Sequence, residues 1–292
     1  EILNILISNK LKIIFLTLLI TIPSVIYIFS IPNTYLSYSV LAPASSLNNS
    51  SGITSRYSGV ASLAGISIPS GSNSEKVTRA IEVMKSLEFF ENFVDKYNLD
   101  IKILAVKGWN RQDNSLLYDK KIYDYKNKKW VSDIKFAING KPSSQYAHEI
   151  FLKNLSIEVD RKTKFVTLTY EHFSPNIAKE ILDSILEEIN NIIKEDEVKL
   201  AELSIQFLKQ ELENTKVQDI QESLNQLVQS NYETIVLANS SPEYLFKTLS
   251  PSFAPEKKHS PSRLILTVGV LIFSFFISVI TILVNFYFKN KK

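Results

Sequence analysis

Three histidines and no cysteine make up the stock of soft metal ligands and strong nucleophiles in this 292-residue sequence. His172 directly follows Glu171 on a predicted strand, where neighbouring side chains point to opposite faces, so the two cannot share a metal ion or relay a proton. A surface or structural place is expected for His172. His148 on a predicted helix and His259 in a proline-rich stretch have no partner at ligand spacing. The run KEDE, Lys194 to Glu197, is dense in carboxylates, but on a helix such a run reads as a solvated face rather than a cation site. Neither a G-x-x-x-x-G-K-S/T loop nor a G-x-G-x-x-G turn occurs, which leaves nucleotide phosphates without a cradle. The inventory predicts no catalytic centre, no metal and no cofactor, and no nucleic-acid partner is expected.

The spacings that stand out belong to packing. Thr17 with Thr21, and Ser274 with Ser278, are small hydroxyl residues four apart within two apolar runs. Such pairs lie on one helix face and let backbones approach, so they mark contact between two spans, or with another membrane protein, or are simply tolerated. The runs are Ile13 to Ile31, 19 residues, and Leu264 to Phe286, 23 residues without a formal charge. At about 1.5 Å per residue each matches a hydrocarbon core of roughly 30 Å. No small-residue cleavage site follows the first run, which favours an uncleaved anchor over a signal peptide. The sequence starts at Glu1 and is expected to be trimmed.

Lys10 and Lys12 precede the first span, and no Lys or Arg follows it until Arg56, so the N-terminus is expected in the cytoplasm. Two spans return the C-terminus to the same side. The flanks of the second span are balanced, with Lys257, Lys258 and Arg263 before it and Lys289, Lys291 and Lys292 after it. Everything between the spans is expected outside the cytoplasm. With 45% apolar and 22% charged residues, that region has the composition of a folded domain. The absence of cysteine agrees with a periplasmic compartment and no disulfides.

Along this outer region, TYLSYSVLAPA (Thr34 to Ala44) reads as a strand, and the stretch over 45–74, with four of the seven glycines, as a long loop. A helix is predicted from Ser74, its capping residue, with Val77, Ile81, Met84, Leu87, Phe90, Val94 and Tyr97 on one face. The next thirty or so residues are basic, aromatic and irregular. From Pro142 the pattern gives a helix with proline near its first turn, then two strands around the RKTK turn, with Phe165, Leu168 and Tyr170 on the second strand. This outer base is expected to be α+β with an antiparallel or mixed sheet.

Between Pro175 and Pro242 lie 66 residues with neither Pro nor Gly and with helical apolar spacing throughout. One straight helix of that length would reach about 100 Å, whereas the 21 residues from Pro242 to Ser262 span at most about 70 Å fully extended. The chain could not then return to the membrane, so a helical hairpin is required, with its turn near Glu213 to Asp219. The strand-like EYLFKTLS then re-enters the base. Charge is uneven: Ser174 to Asn239 holds 13 acidic and 5 basic residues, and Lys102 to Lys164 holds 14 basic and 7 acidic. If the basic region lies near the bilayer, Lys120, Lys121, Lys128 and Lys129 would face anionic head groups; a solvated surface is the alternative reading.

These pieces resemble one family. IPNTYLSYSVLAPA after the first span, GVASLAGI, KVTRAIEVMKSLEFFENFVDKYNL, AVKGWN with YDKKIYD and KWV, VTLTYEHFSPNIAKEILDSILEEIN, and EYLFKTLSPSFAPEKKHSPSR before the second span are together similar to a polysaccharide co-polymerase, a Wzz-type chain-length determinant. The resemblance implies an inner-membrane protein whose periplasmic α/β base carries a long helical arm, assembled into a ring-shaped homo-oligomer. It implies control of the modal length of a surface polysaccharide, commonly lipopolysaccharide O-antigen, through an integral-membrane polymerase that extends lipid-linked glycan. No hydrolytic or transferase activity of its own is implied. The family's proline-rich segment beside the second span is matched by Pro251, Pro255 and Pro261, at wider spacing. Those prolines would form a semi-rigid strap coupling the outer domain to the membrane, with nearby cations available to membrane lipids.

The expected organisation is a cytoplasmic stub (1–12), a span (13–31), the base (32–173), the hairpin arm (174–241), a return strand and strap (242–263), a span (264–286) and a stub (287–292). The fold class is an α+β membrane protein with two transmembrane helices flanking a periplasmic α/β base domain and a helical-hairpin arm. The rival readings are a two-span sensor, whose output module a six-residue stub could not supply, and an export adaptor, a class that usually has one span.

Overall fold

The computed structural model describes residues 6–44, 73–131, 137–138 and 140–289. The loop expected over 45–74, with GVASLAGI inside it, lies outside the described residues up to Asn73, as does the capping side chain of Ser74. In chain order, helix α1 (Lys10–Ser30) leads to strand β1 (Tyr35–Pro43), followed by helices α2 (Asn73–Met84), α3 (Leu87–Tyr97) and the short α4 (Asp100–Leu104). Three small antiparallel pairs come next: β2 (Val106–Asn110) with β3 (Ser115–Tyr118), β4 (Tyr123–Asp124) with β5 (Lys129–Trp130), and β6 (Ala137–Ile138) with β7 (Lys141–Pro142). Helix α5 (Ser144–Asn154) and strands β8 (Leu155–Val159) and β9 (Val166–His172) precede the two long helices α6 (Pro175–Asn214) and α7 (Gln218–Ser240). Strand β10 (Phe246–Ser250) and helix α8 (Arg263–Lys289) follow. The chain divides into two compact units, Glu1–Tyr35 with Lys257–Lys292, and Leu36–Glu256.

In the larger unit a four-stranded sheet has the order β10-β1-β9-β8, so the first strand after α1 pairs antiparallel with the last strand before the proline segment. Strand β9 alternates cleanly, burying Val166, Leu168, Tyr170 and His172. The buried phase begins at Val166, with which Leu168 and Tyr170 alternate; Phe165, expected on this strand but out of phase with them, precedes it and is half-buried. Pro142 likewise closes β7 instead of entering α5, whose cap is Ser143, accepting from the Tyr146 amide at 3.3 Å.

The helical stretch expected from Ser74 onward is two helices. Ser86 starts the second, its Oγ accepting from the Phe89 amide at 3.1 Å, and Asn98 ends it in a left-handed conformation at φ 52°. Its apolar face carries Phe90 and Phe93 onto Phe151 of α5, at centroid distances of 5.2 and 5.9 Å, and Phe151 meets Tyr170 of β9 at 5.8 Å. Ile181, Leu182, Ile185 and Ile189 of α6 fill the same core. The first half of α6 is thus a core helix, and the hairpin arm grows out of it.

At about 1.5 Å per residue the 40 residues of α6 rise about 60 Å and the 23 of α7 about 35 Å. The break falls at Thr215–Val217, within the turn required by the reach argument. Gln221 Nε2 donates to the Thr215 carbonyl at 2.6 Å, and Thr215 N–H to Glu211 at 3.0 Å, so the turn satisfies its own backbone groups. Ala201, Ile205, Leu208, Leu224 and Ala238 are buried along the pair.

In the smaller unit, α1 and α8 are both long and apolar enough to cross a membrane. They run antiparallel, since Thr17 meets Ser278, Thr21 meets Ser274 and Ile31 meets Arg263.

Candidate functional site

The four hydroxyl residues singled out by spacing come together. Thr17 Oγ1 donates to Ser278 Oγ at 3.1 Å, and Thr21 Oγ1 and Ser274 Oγ lie 2.8 Å apart. Ser274 and Ser278 are fully buried between the helices. Three of the four also lie within hydrogen-bond reach of their own helix backbone, Thr17 of the Ile13 carbonyl, Ser274 of the Leu271 carbonyl and Ser278 of the Ser274 carbonyl, and the one proton of Thr17 is shared between Ile13 and Ser278. In hydrocarbon such groups must find partners within the protein, and the four-residue spacing supplies them one turn apart on both helices.

The end of this helix pair is clasped. Thr34 N–H donates to the Ser260 carbonyl at 2.9 Å and His259 N–H to the Thr34 carbonyl at 2.8 Å, a single antiparallel bridge. Arg263, at the start of α8, donates to the Ile31 carbonyl at the end of α1 at 3.2 Å and lies over the Phe29 ring at 5.4 Å. A planar cation suits that double role, as one edge hydrogen-bonds while its face covers an aromatic ring. Pro261 falls in this clasp.

Pro251 and Pro255 fall in the larger unit, where the segment after β10 is pinned by serines. Ser37 and Ser39 of β1, both buried, donate to the carbonyls of Phe253 at 2.7 Å and Ser250 at 2.9 Å. Ser252 Oγ donates to Asp183 of α6, and Phe253 meets Tyr38 edge-on at 4.8 Å. Prolines cannot take part as donors, so these side-chain bonds hold a segment that no sheet ladder could.

The arm's root holds polar residues that the sequence reading passed over. Asn190, 3% exposed, accepts from both the Leu245 and Phe246 amides at 2.9 Å and donates to the Phe246 carbonyl at 3.3 Å, fastening the start of β10 to α6. Glu188 takes Lys96 Nζ at 2.5 Å and Tyr97 OH at 3.3 Å. That hydrogen bond raises the Lys96 pKa, while burial, with the Glu187 and Glu188 charges, raises that of Tyr97. The signal available was a polar pair, Glu188 and Asn190, inside an otherwise apolar helical face.

The KEDE run is a solvated face only in part: Glu195 is exposed, while the two residues after it reach partners. Asp196 pairs with Arg79 at 2.6 Å, and Glu197 with Lys76 at 2.7 Å and Tyr244 OH at 2.8 Å. Sequence spacing along α6 could not reveal that α2 lies across from it. His172 is structural: Nε2 donates to the Lys102 carbonyl at 2.9 Å, and Nδ1 accepts from the Ser174 amide at 3.0 Å at the start of α6. Burial lowers its pKa, the two backbone bonds opposing the shift. His148 Nε2 contacts the Lys85 carbonyl at 2.8 Å. Among the described residues no group of three or more His, Asp or Glu side chains could hold a metal ion.

Comparison with known proteins bears on the resemblance. Residues 1–97 match the family model Wzz, chain length determinant protein. No curated protein matches the chain. Among solved structures it is similar to a full-length bacterial polysaccharide co-polymerase at 12% identity, over 99% of this chain and 98% of that one, with a TM-score of 0.41. A fragment of WzzB, a polysaccharide co-polymerase from Salmonella Typhimurium, is similar at 12% identity over 78% of this chain and 100% of that one, with a TM-score of 0.34. The family model thus covers the segment from the first apolar helix through α3, about a third of the chain.

Proposed function

We propose that this protein is a chain-length regulator of a surface polysaccharide, most simply lipopolysaccharide O-antigen, and acts without catalysing any step itself. The observation that carries the reading is the family match over residues 1–97. Two apolar helices paired through buried hydroxyls support a place in the inner membrane, with both termini cytoplasmic and Leu36–Glu256 in the periplasm.

The partner is an integral-membrane polymerase that extends lipid-linked glycan, and the working form is a ring-shaped homo-oligomer. The span pair meets the polymerase, and the strap of Pro251, Pro255 and Pro261 couples the outer domain to the spans. Leu200, Leu203, Phe207, Val236 and Leu237 are apolar and exposed along the arm of the single chain, which supports burial of this surface in an assembly.

The test is reconstitution in liposomes of the polymerase with its lipid-linked repeat units. Polymerase alone should give a broad product ladder; adding this protein should gather it around a mode, and this protein alone should give no product. An unchanged ladder refutes the reading.

A further inference from the structure

The basic, irregular section that resisted assignment from sequence folds into two hairpins carrying a ladder of aromatic rings. Trp130 packs on the core, Tyr123 is 5% exposed and meets it edge-on at 5.2 Å, and Tyr118 follows at 6.3 Å. Tyr125 then stacks on Tyr118 at 4.8 Å with planes 10° apart and stands 63% exposed. The ladder runs from core to solvent, so the outermost ring is held in place before any ligand arrives.

The turn bearing Tyr125 is equally set. The Asp124 carboxylate accepts from the Lys126 amide at 3.0 Å and from Asn127 Nδ2 at 2.7 Å, and Lys128 takes the left-handed conformation at φ 51°. In the neighbouring turn Asp119 accepts from the Lys121 amide at 3.0 Å. The Asp124 carboxylate thus serves its own turn, and that of Asp119 also faces Lys107 at 3.9 Å. Lys120, Lys121, Lys126, Lys128 and Lys129 are exposed, and none forms an ion pair among the described residues.

We propose that this face is a binding site for an anionic glycan, a polysaccharide segment bearing carboxylated sugars, with the Tyr118–Tyr125 stack as the platform for a pyranose ring and the turn lysines as partners of its carboxylates. The apolar face of a pyranose lies flat on an aromatic ring, and its hydroxyls need donors and acceptors around that ring. The Tyr125 turn offers one flat ring amid Lys126, Asn127 and Lys128, with no aliphatic side chain to enter a bilayer. Leu117, the exposed aliphatic neighbour, alternates to the opposite side of β3 from Tyr118. The choice of a glycan rests on the chain-length reading; the aromatic platform and its charge do not.

The experiment uses the full chain in nanodiscs of zwitterionic lipid and fluorescent polygalacturonate oligosaccharides, with dextran as the neutral control. Saturable binding of polygalacturonate but not dextran is expected, weakened about tenfold by Tyr125→Ala and by Lys126→Ser with Lys128→Ser, and weakened by salt. Both variants alter exposed turn side chains, and an unchanged melting profile confirms that they fold. No binding by the unaltered protein, equal binding of dextran, or full binding by Tyr125→Ala overturns the proposal. So does salt-sensitive capture of anionic vesicles that ignores Tyr125→Ala, which would make the face a membrane contact. Binding that persists in a protein whose deletion leaves glycan length unchanged would remove the chain-length reading alone.

Discussion

His172 sits where strand β9 becomes helix α6, and its ring nitrogens have opposite duties: one donates to Lys102 and the other accepts from Ser174. Only the neutral imidazole can do both, and burial favours the same form. A His whose folded pKa lies below its ordinary value of 6.5 contributes stability that is fully present above that value and is lost as the pH falls through it. Stability of the chain should therefore fall as the pH drops below about 6.5, and His172→Gln, which keeps a donor and an acceptor but does not titrate, should flatten that part of the profile. Parallel profiles for the two proteins would remove His172 as the cause. The sequence showed that His172 had no chemical partner in Glu171. It could not show that the partners are backbone groups 70 residues away and two residues on. The same blindness hid the ion pairs of Asp196 and Glu197, whose partners lie on α2.

Long periodic elements were legible because many residues repeat the same signal. The arm is one such element: its length and the distance back to the second span required a turn, and three residues supply it. The two spans are another, and the four-residue spacing of their hydroxyls had a geometric meaning that can be tested. The chain has no cysteine, so Thr21→Cys with Ser274→Cys introduces the only thiols. Where hydroxyls now lie 2.8 Å apart, that pair should cross-link readily under mild oxidant, and the diagonal pair Thr17→Cys with Ser274→Cys should lag well behind. The readout is a gel after proteolysis between the spans; equal cross-linking of both pairs would mean that the register is different. The break at Ser86 was missed because Met84, Leu87 and Phe90 keep helical spacing straight through it. Strands of two residues, such as β4 and β5, have no periodicity to read, and the turn closed by the Asp124 carboxylate decides them.

On the proposed function, the pair of apolar helices and the unit that carries the arm belong to one regulator, and the segment of Pro251, Pro255 and Pro261 runs between them in sequence. If that segment is the coupling strap proposed above, function should feel a change there most. Inserting a Gly-Ser stretch at Ser260 displaces the Thr34–Ser260 bridge while leaving both units' cores intact, and it should broaden the polysaccharide length distribution without lowering protein level. An unaltered distribution would reduce the strap to a plain linker. A lipopolysaccharide gel of a strain lacking the protein, with and without the restored gene, shows whether it sets glycan length. If the protein sets glycan length, modal banding disappears on deletion and returns with the gene, while total polymer persists. Unchanged banding in the deletion strain, or loss of all polymer, would contradict it.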